Sequence, residues 1–527
     1  MKTLWPATAL LALVAAGCGK APDTAPAKTV APARAEIAWI KPTAPQDVDT
    51  AFARAKMDGQ PVFVFWSAAW CPPCNQVKST IFTRPDFIEK SRSFVPIYLD
   101  GDTGSGQALG QRFNVSSYPT MVLLRADGSE ITRIAGSVEP AKYMQVLDHG
   151  IAGRVSAQQV LAAALGGKPM GADDWRLLAF YSWETDEQQL AAKDDAPATL
   201  IRLAQACPPT EREAASRLVL QAVAASATAK GSVKPAADKA DALASVRSVL
   251  EQPELVREHY DLISAYAADI VGYTTAPASA QREKLVAQWS AALDRLIADP
   301  TLSQAGRIWA LGGKVDLARL DNAKAPLPAP LLAQVREQTA RADRETIDIN
   351  ERQSVITSAG AVLADAGLYD ESDAMLSGEL KRSHSPYYYM LGLASNARKR
   401  ATPESRIAAI DWAREAYETS TGPATRLQWG GSYVNYLIEL APDDAARIEA
   451  ASASVIGEAS APDAFSARSR RALERMSERL NKWNKDGRHD AVIARLHDKL
   501  GPTCAAEALT PTDRTACEAL FRPASRT

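Results

Sequence analysis

Between Pro61 and Trp66 the chain reads Pro-Val-Phe-Val-Phe-Trp, an unbroken apolar run of strand length and β-favouring composition. Apolar residues at helical spacing from Asp47 to Lys56 precede it, which predicts a helix leading into a buried strand. Further on, the pattern predicts a helix over Pro73 to Lys90, a strand from Phe94 to Leu99, a Gly-rich loop, a helix from Gln107 to Phe113 and a strand from Thr120 to Arg125. Ala126-Asp127-Gly128-Ser129 carries a hairpin signal into Ile131 to Ala135, and Glu139 to Gly150 closes as a helix. The order αβαβαββα predicts an α/β domain over residues 45–152, with its first connections parallel crossovers and its last strand pair antiparallel.

From about Ser156 the strand signals vanish. Ala, Leu, Arg and Glu dominate, with apolar residues at i, i+3, i+4 and i+7, as in Leu255 to Ala267 and Leu285 to Ile297, so the rest is predicted to be all-α. Between Val355 and Asp444 the pattern divides into helices over Val355–Ala366, Glu371–Lys381, Pro386–Arg400, Glu404–Thr419 and Pro423–Leu440, with a turn at Gly367-Leu368-Tyr369. Pro386 and Pro423 open corresponding helices 37 residues apart, a pattern that resembles tetratricopeptide-type solenoids. The expected division is a helical domain at 153–350, helical-hairpin repeats at 351–500 and a tail at 501–527. Tyr387, Tyr388, Tyr389, Trp412, Trp429 and Tyr433 read as inter-helix core in preference to a peptide groove, because solenoid helices bury aromatics in every repeat.

The start of the chain reads as an address. Met1 and Lys2 are followed by an apolar stretch from Leu4 to Ala16 that is too short to span a bilayer, as in an export signal over residues 1–17. Val14-Ala15-Ala16-Gly17-Cys18 resembles the bacterial lipobox, which implies lipid on the Cys18 thiol; an ordinary signal peptide that contains a cysteine is the alternative. Gly19 resembles the outer-membrane sorting pattern. Residues 18–44 are Ala/Pro-rich without periodicity and are expected to form an extended tether. The expectation is an exported protein on the periplasmic side, held to a lipid bilayer through Cys18, with the outer membrane preferred over the inner.

Composition narrows the chemistry. A chain of 527 residues holds three or four domains' worth of structure. With 60 basic and 62 acidic side chains the net charge is −2, which argues against a nucleic-acid binder held by phosphate neutralisation. Six cysteines are too few for a disulfide scaffold of this size, and five histidines leave little for metal chemistry, so no metal or cofactor is expected. In an oxidising compartment Cys504 and Cys517, which flank a Pro- and Thr-containing turn, are expected to form a stapling disulfide. Cys207 is left as a buried free thiol.

The candidate chemistry is Trp70-Cys71-Pro72-Pro73-Cys74, between the first strand and the following helix. Two thiols separated by two residues at a helix N-terminus close a small disulfide, and the helix dipole with its free N–H groups stabilises a thiolate on the first. Cys71 is therefore expected to be an exposed nucleophile, and Cys74, one turn in, to resolve its mixed disulfide. Pro72 and Pro73 stiffen the turn and remove donors near the sulfurs. Half a zinc site is the competing reading, but no second pair lies at ribbon spacing and no histidine is near.

WCPPC after an apolar strand, followed about 45 residues later by Ser117-Tyr118-Pro119-Thr120 opening another strand, resembles the thioredoxin superfamily. Ala51 to Lys56, Gly59-Gln60-Pro61 and Phe94 to Asp100 are more specifically similar to the branch that includes the C-terminal domain of the thiol:disulfide interchange protein DsbD. The resemblance implies a thioredoxin-like fold and a cis Pro119 beside the disulfide. Trp70, Pro72, Pro73, Tyr118, Pro119 and Thr120 then support the site, and protein thiols or disulfides are the substrates. It also implies an upstream redox partner, such as a membrane reductase of the DsbD kind. One departure stands out: thioredoxins keep a buried aspartate six residues before the first cysteine, whereas this chain has Phe65. Asp100 is a candidate substitute, although a strand-end aspartate is more often a cap. The glycines from Gly101 to Gly110 lack the Walker lysine and the GxGxxG spacing, so the loop is not read as a phosphate cradle.

The expected function is a membrane-anchored periplasmic thiol:disulfide oxidoreductase whose helical region docks a client. The alternative is a helical-repeat interaction lipoprotein with a redox-weak thioredoxin-like module.

Overall fold

The computed structural model describes residues 36–522, apart from residues 137, 154, 187–188, 193–194, 232, 460–464, 466 and 508. The export signal, Cys18 and most of the expected tether lie outside the described residues.

Helix α1 (Pro45–Asp58) ends at Gly59, whose φ of 66° turns the chain into β1 (Val62–Ser67). All six β1 side chains are buried because the strand is central, which explains its unbroken apolar sequence. β1 pairs in parallel with β2 (Val95–Asp100), Val62 opposite Val95 and Ser67 opposite Asp100. On its other side β1 pairs antiparallel with β3 (Thr120–Leu124), and β4 (Glu130–Ala135) runs antiparallel to β3, giving the order β2-β1-β3-β4.

Two expectations for this region need correction. The single helix over Pro73 to Lys90 is two, α2 (Pro72–Thr80) and α3 (Pro85–Lys90), because Arg84 precedes a proline and is held extended. The second connection is not a parallel crossover. Helix α4 (Gly104–Arg112) is only nine residues long, and residues 113–119 bring the chain back to the end at which β1 finishes, so Trp66 pairs with Thr120 and β3 runs antiparallel.

The two-residue side-chain period splits β1 between two cores. Val62, Val64 and Trp66 pack with Val48, Ala51 and Ala55 of α1 and Leu109 of α4. Phe63 and Phe65 face Val77 of α2 and Leu147 of α5 (Pro140–Ala152), in a core that continues into Trp175, Leu178, Leu200 and Leu218 of the following helices. The apolar interior is thus shared across residue 152. Buried Arg133 on β4 adds to this junction: it pairs with Glu130 at 2.7 Å and donates to the carbonyls of Asn114 and Thr185.

Beyond α5 the described chain is helical. The expected helix from Leu255 to Ala267 is instead three short ones, at Pro253–Glu258, Tyr260–Ala265 and Ala267–Thr274. The breaks fall at His259 and Tyr266, whose side chains bond to Ser216 (2.7 Å) and Glu184 (2.8 Å), so tertiary contacts override local helix propensity. Later helices are α6 (Ile349–Asp365), which starts six residues before the expected Val355, then a turn with Gly367 at φ 84°, and α7 (Tyr387–Arg400) and α8 (Pro423–Leu440), which follow the expected boundaries closely. Each helix from α6 to the one at Ala445–Glu458 packs on the next, as in a helical-repeat array. A further helix, α9 (Ala467–Trp483), lies against α8. Tyr387, Tyr389, Trp429 and Tyr433 are buried between these helices and Trp412 is half-buried. Cys504 and Cys517 are disulfide-bonded, and Cys207 is a buried free thiol.

Candidate active site

Cys71 caps the N-terminus of α2. Its Sγ accepts the Cys74 N–H at 3.2 Å, its carbonyl accepts the Asn75 N–H at 3.0 Å, and Pro72 and Pro73 fill the first turn, where backbone donors have no helical partner. Cys71 and Cys74 are joined as a disulfide with their Cα atoms 5.2 Å apart. The positive end of the α2 dipole and its free N–H groups therefore converge on Cys71. The Tyr118–Pro119 peptide is cis, and Thr120 Oγ1 donates to the Ser117 carbonyl at 2.8 Å as β3 begins.

An aromatic chain links the sheet to the disulfide and continues past it. Tyr118 stacks on Trp66 at 5.2 Å and meets Trp70 edge-on at 5.4 Å. Trp70 stacks on Tyr388 of α7 at 5.9 Å, and Tyr388 meets Trp429 of α8 edge-on at 4.9 Å. The glycine-rich loop makes this packing possible. A Cβ on Gly101 would lie 2.2 Å from the Tyr118 hydroxyl, and one on Gly110 would lie 2.4 Å from the Trp66 ring.

The expectation of an exposed nucleophile fails. Cys71 is 1% exposed and Cys74 0%, because helices of the C-terminal half are packed over them. Asn75 Nδ2 donates to Gln353 Oε1 of α6 at 3.0 Å. Arg468 of α9 places its guanidinium 4.4 Å from the Tyr118 ring centroid and 6.0 Å from that of Trp70, and donates to the Ser116 carbonyl at 3.1 Å. From α8, Thr425 Oγ1 donates to Asp102 at 2.8 Å, and Trp70 Nε1 donates to the same carboxylate. Gly422, at φ 88°, lets the chain pass this carboxylate; a Cβ there would sit 2.2 Å from Asp102 Oδ2.

No carboxylate replaces the aspartate missing at Phe65 in place, because Phe65 is enclosed by Phe82 (4.7 Å), Tyr98 (5.9 Å) and Trp39 (6.3 Å). Asp100 accepts the Asp102 N–H at 3.0 Å, a turn-capping role. The acid beside the redox motif is Asp102. Burial raises its pKa to about 6, against the hydrogen bond from Thr425, with further upward pressure from Asp100 and downward pressure from Arg468. Burial likewise raises the pKa of the Tyr118 hydroxyl. Cys207 takes no part: it packs in the sheet-side core, and burial pushes its thiol up to about 11.

The sequence motif thus locates the two cysteines and Pro119 but misses Asp102, Gln353, Thr425 and Arg468. Their contacts join residues up to 352 positions apart, and no local pattern marks them.

A family model described as a thioredoxin-like domain matches residues 48–151. The chain is 30% identical over 115 residues to the thiol:disulfide interchange protein DsbD of Pseudomonas fluorescens, covering 21% of this chain and 20% of that protein. It therefore spans about a fifth of the length of that relative. Over 92 residues it is 30% identical to the thioredoxin of Mycolicibacterium smegmatis, covering 18% of this chain and 80% of that protein. The crystal structure of poplar thioredoxin h aligns with a TM-score of 0.19 at 22% identity, covering 21% of this chain and 94% of the other. Through the domain that carries Cys71 and Cys74, the chain belongs to the thioredoxin superfamily.

Proposed function

We propose that the protein is a thiol:disulfide oxidoreductase acting on protein cysteines through the Cys71/Cys74 couple. The observation that carries this reading is the disulfide between the two at the N-terminus of α2. In the reducing direction the Cys71 thiolate attacks a client disulfide, forming a mixed disulfide and expelling one client thiolate. The Cys74 thiolate then attacks Cys71 Sγ, which releases the second client thiolate and leaves the Cys71–Cys74 disulfide. Two electrons pass to the client, and solvent protons complete its thiols. A dithiol partner of the membrane-reductase kind restores the reduced pair, and the partner's potential sets the direction of flow. Export, lipid attachment at Cys18 and an outer-membrane location belong to the same proposal. They rest on residues 1–19 and are tested by labelled-lipid incorporation that a Cys18→Ala variant abolishes.

The decisive experiment uses the full chain. Cys74→Ser is expected to accumulate mixed disulfides through Cys71 that dithiothreitol releases and that Cys71→Ser does not form. A wild-type pair with no measurable two-electron potential, together with no adducts, sinks the reading. A second reading, a helical-repeat interaction protein whose thioredoxin-like module is redox-weak, draws on the burial of both sulfurs and on Phe65. It gains if the pair does not titrate.

A further inference from the structure

The disulfide is buried by a different part of its own chain. Four helices separated from it by more than 270 residues each contribute a defined contact: Gln353 to Asn75, Tyr388 to Trp70, Thr425 to Asp102, and Arg468 to Tyr118 and the Ser116 carbonyl. These contacts occupy the surface from Ser116 to Tyr118 and around Trp70, which a client disulfide must reach to meet Cys71. With Cys71 at 1% exposure, no protein cysteine reaches its sulfur while the helices stay docked.

We propose that α6–α9 form an internal cover that takes the place of a client on the thioredoxin-like domain, and that reduction of Cys71–Cys74 releases it. The inference rests on the redox reading given above. The closed arrangement suits an oxidised pair, because a disulfide is neutral, apolar and able to pack among Ala68, Trp70 and the helical core. A dithiol reductant that meets the sulfurs during a brief opening of the cover transfers two electrons and two protons to them and itself becomes a disulfide. The α2 N-terminus then favours loss of the Cys71 proton to solvent. The resulting thiolate is a buried anion packed with Trp70, whose indole N–H is already given to Asp102, and burying an unpaired charge is costly. Arg468, the cation that the covering helices bring over Trp70 and Tyr118, is already engaged with the Ser116 carbonyl, Gln428 and the Tyr118 ring. Undocking restores water to the thiolate and opens the client surface at the moment the pair becomes a reductant.

Linkage is reciprocal: a cover that prefers the oxidised pair must make that pair harder to reduce. Each tenfold of preference lowers the two-electron potential by about 30 mV. Two variants loosen the cover without touching either cysteine. Thr425→Val removes the bond to Asp102 in nearly the same volume, and Tyr388→Leu removes the ring stacked on Trp70.

The test is a redox titration of the full chain in dithiothreitol buffers, read by thiol alkylation, together with hydrogen exchange of the oxidised and fully reduced wild type. Reduction is expected to speed exchange at least tenfold in α7 and α9 while leaving the helix at Ala280–Ala298 unchanged. Both variants are expected to shift the equilibrium toward the reduced pair and to speed its formation. Exchange that is the same in both redox states, with a potential that neither variant moves, overturns the cover while leaving the oxidoreductase intact. A wild-type pair that never titrates overturns the redox reading and the cover with it. The wild-type exchange comparison decides the matter even if a variant folds poorly.

Discussion

At residue 102 a single carboxylate receives bonds from both sides of the covered site, Trp70 of the thioredoxin-like domain and Thr425 of α8. Its pKa is raised from 3.8 to about 6, mainly by burial, so the folded protein holds a proton there that the unfolded chain has released. Between pH 3.8 and 6 the native state binds the extra proton, and this group's contribution to stability falls as pH rises. The full difference is about 3 kcal/mol. Asp102→Asn keeps the shape and removes the titration. The stability of wild type relative to this variant is therefore expected to drop by up to about 3 kcal/mol from pH 3.5 to pH 7 in denaturant unfolding at each pH. A flat difference rules out the assignment. The redox pair was legible because its chemistry sits within five consecutive residues, Trp70 to Cys74. Asp102 was not, because what distinguishes it from Asp100 is a contact 323 residues away.

At the scale of elements, local patterns were readable wherever one element decides its own boundaries. The apolar run of β1 is buried on both faces, and α8 starts at Pro423 and ends at Leu440 as its periodicity indicates. Failures came where another element intervenes. The strand after α4 turned antiparallel because residues 113–119 reverse the chain, and the helix near His259 broke to satisfy Ser216. The C-terminal staple belongs to the readable class. Helix Pro511–Glu518 is short and buries only Cys517, so its docking on helix Asp490–Cys504 leans on the Cys504–Cys517 bond. Closing a loop of this length restricts the unfolded chain by about 3 kcal/mol. The double variant Cys504→Ala/Cys517→Ala is expected to lose about that much stability, read as an earlier urea midpoint with an unchanged Cys71–Cys74 potential. An altered potential places the staple within the redox cover.

For the whole molecule, the sequence division at residue 152 follows the family match but not the packing. Phe63, Phe65, Leu123 and Ile131 of the sheet share one core with Trp175, Leu178, Leu200 and Leu218, and Glu139 accepts the Ser303 hydroxyl at 2.6 Å across 164 residues. A second core joins Cys71 and Cys74 to α7 and α8. Two separate interfaces therefore tie the thioredoxin-like domain to the helical region, one on the sheet and one on the disulfide. Melting either part alone would expose both, at about 25 cal/mol for each Å² of apolar surface returned to water. The oxidised chain is accordingly expected to unfold in one transition, with far-UV circular dichroism and tryptophan fluorescence coincident along a urea series. The two probes should separate once the pair is reduced, because only the interface at the disulfide is released while the sheet core stays closed. A second transition already present in the oxidised protein would mean that neither interface couples the two parts, and the division at 152 would then hold energetically as well as in sequence.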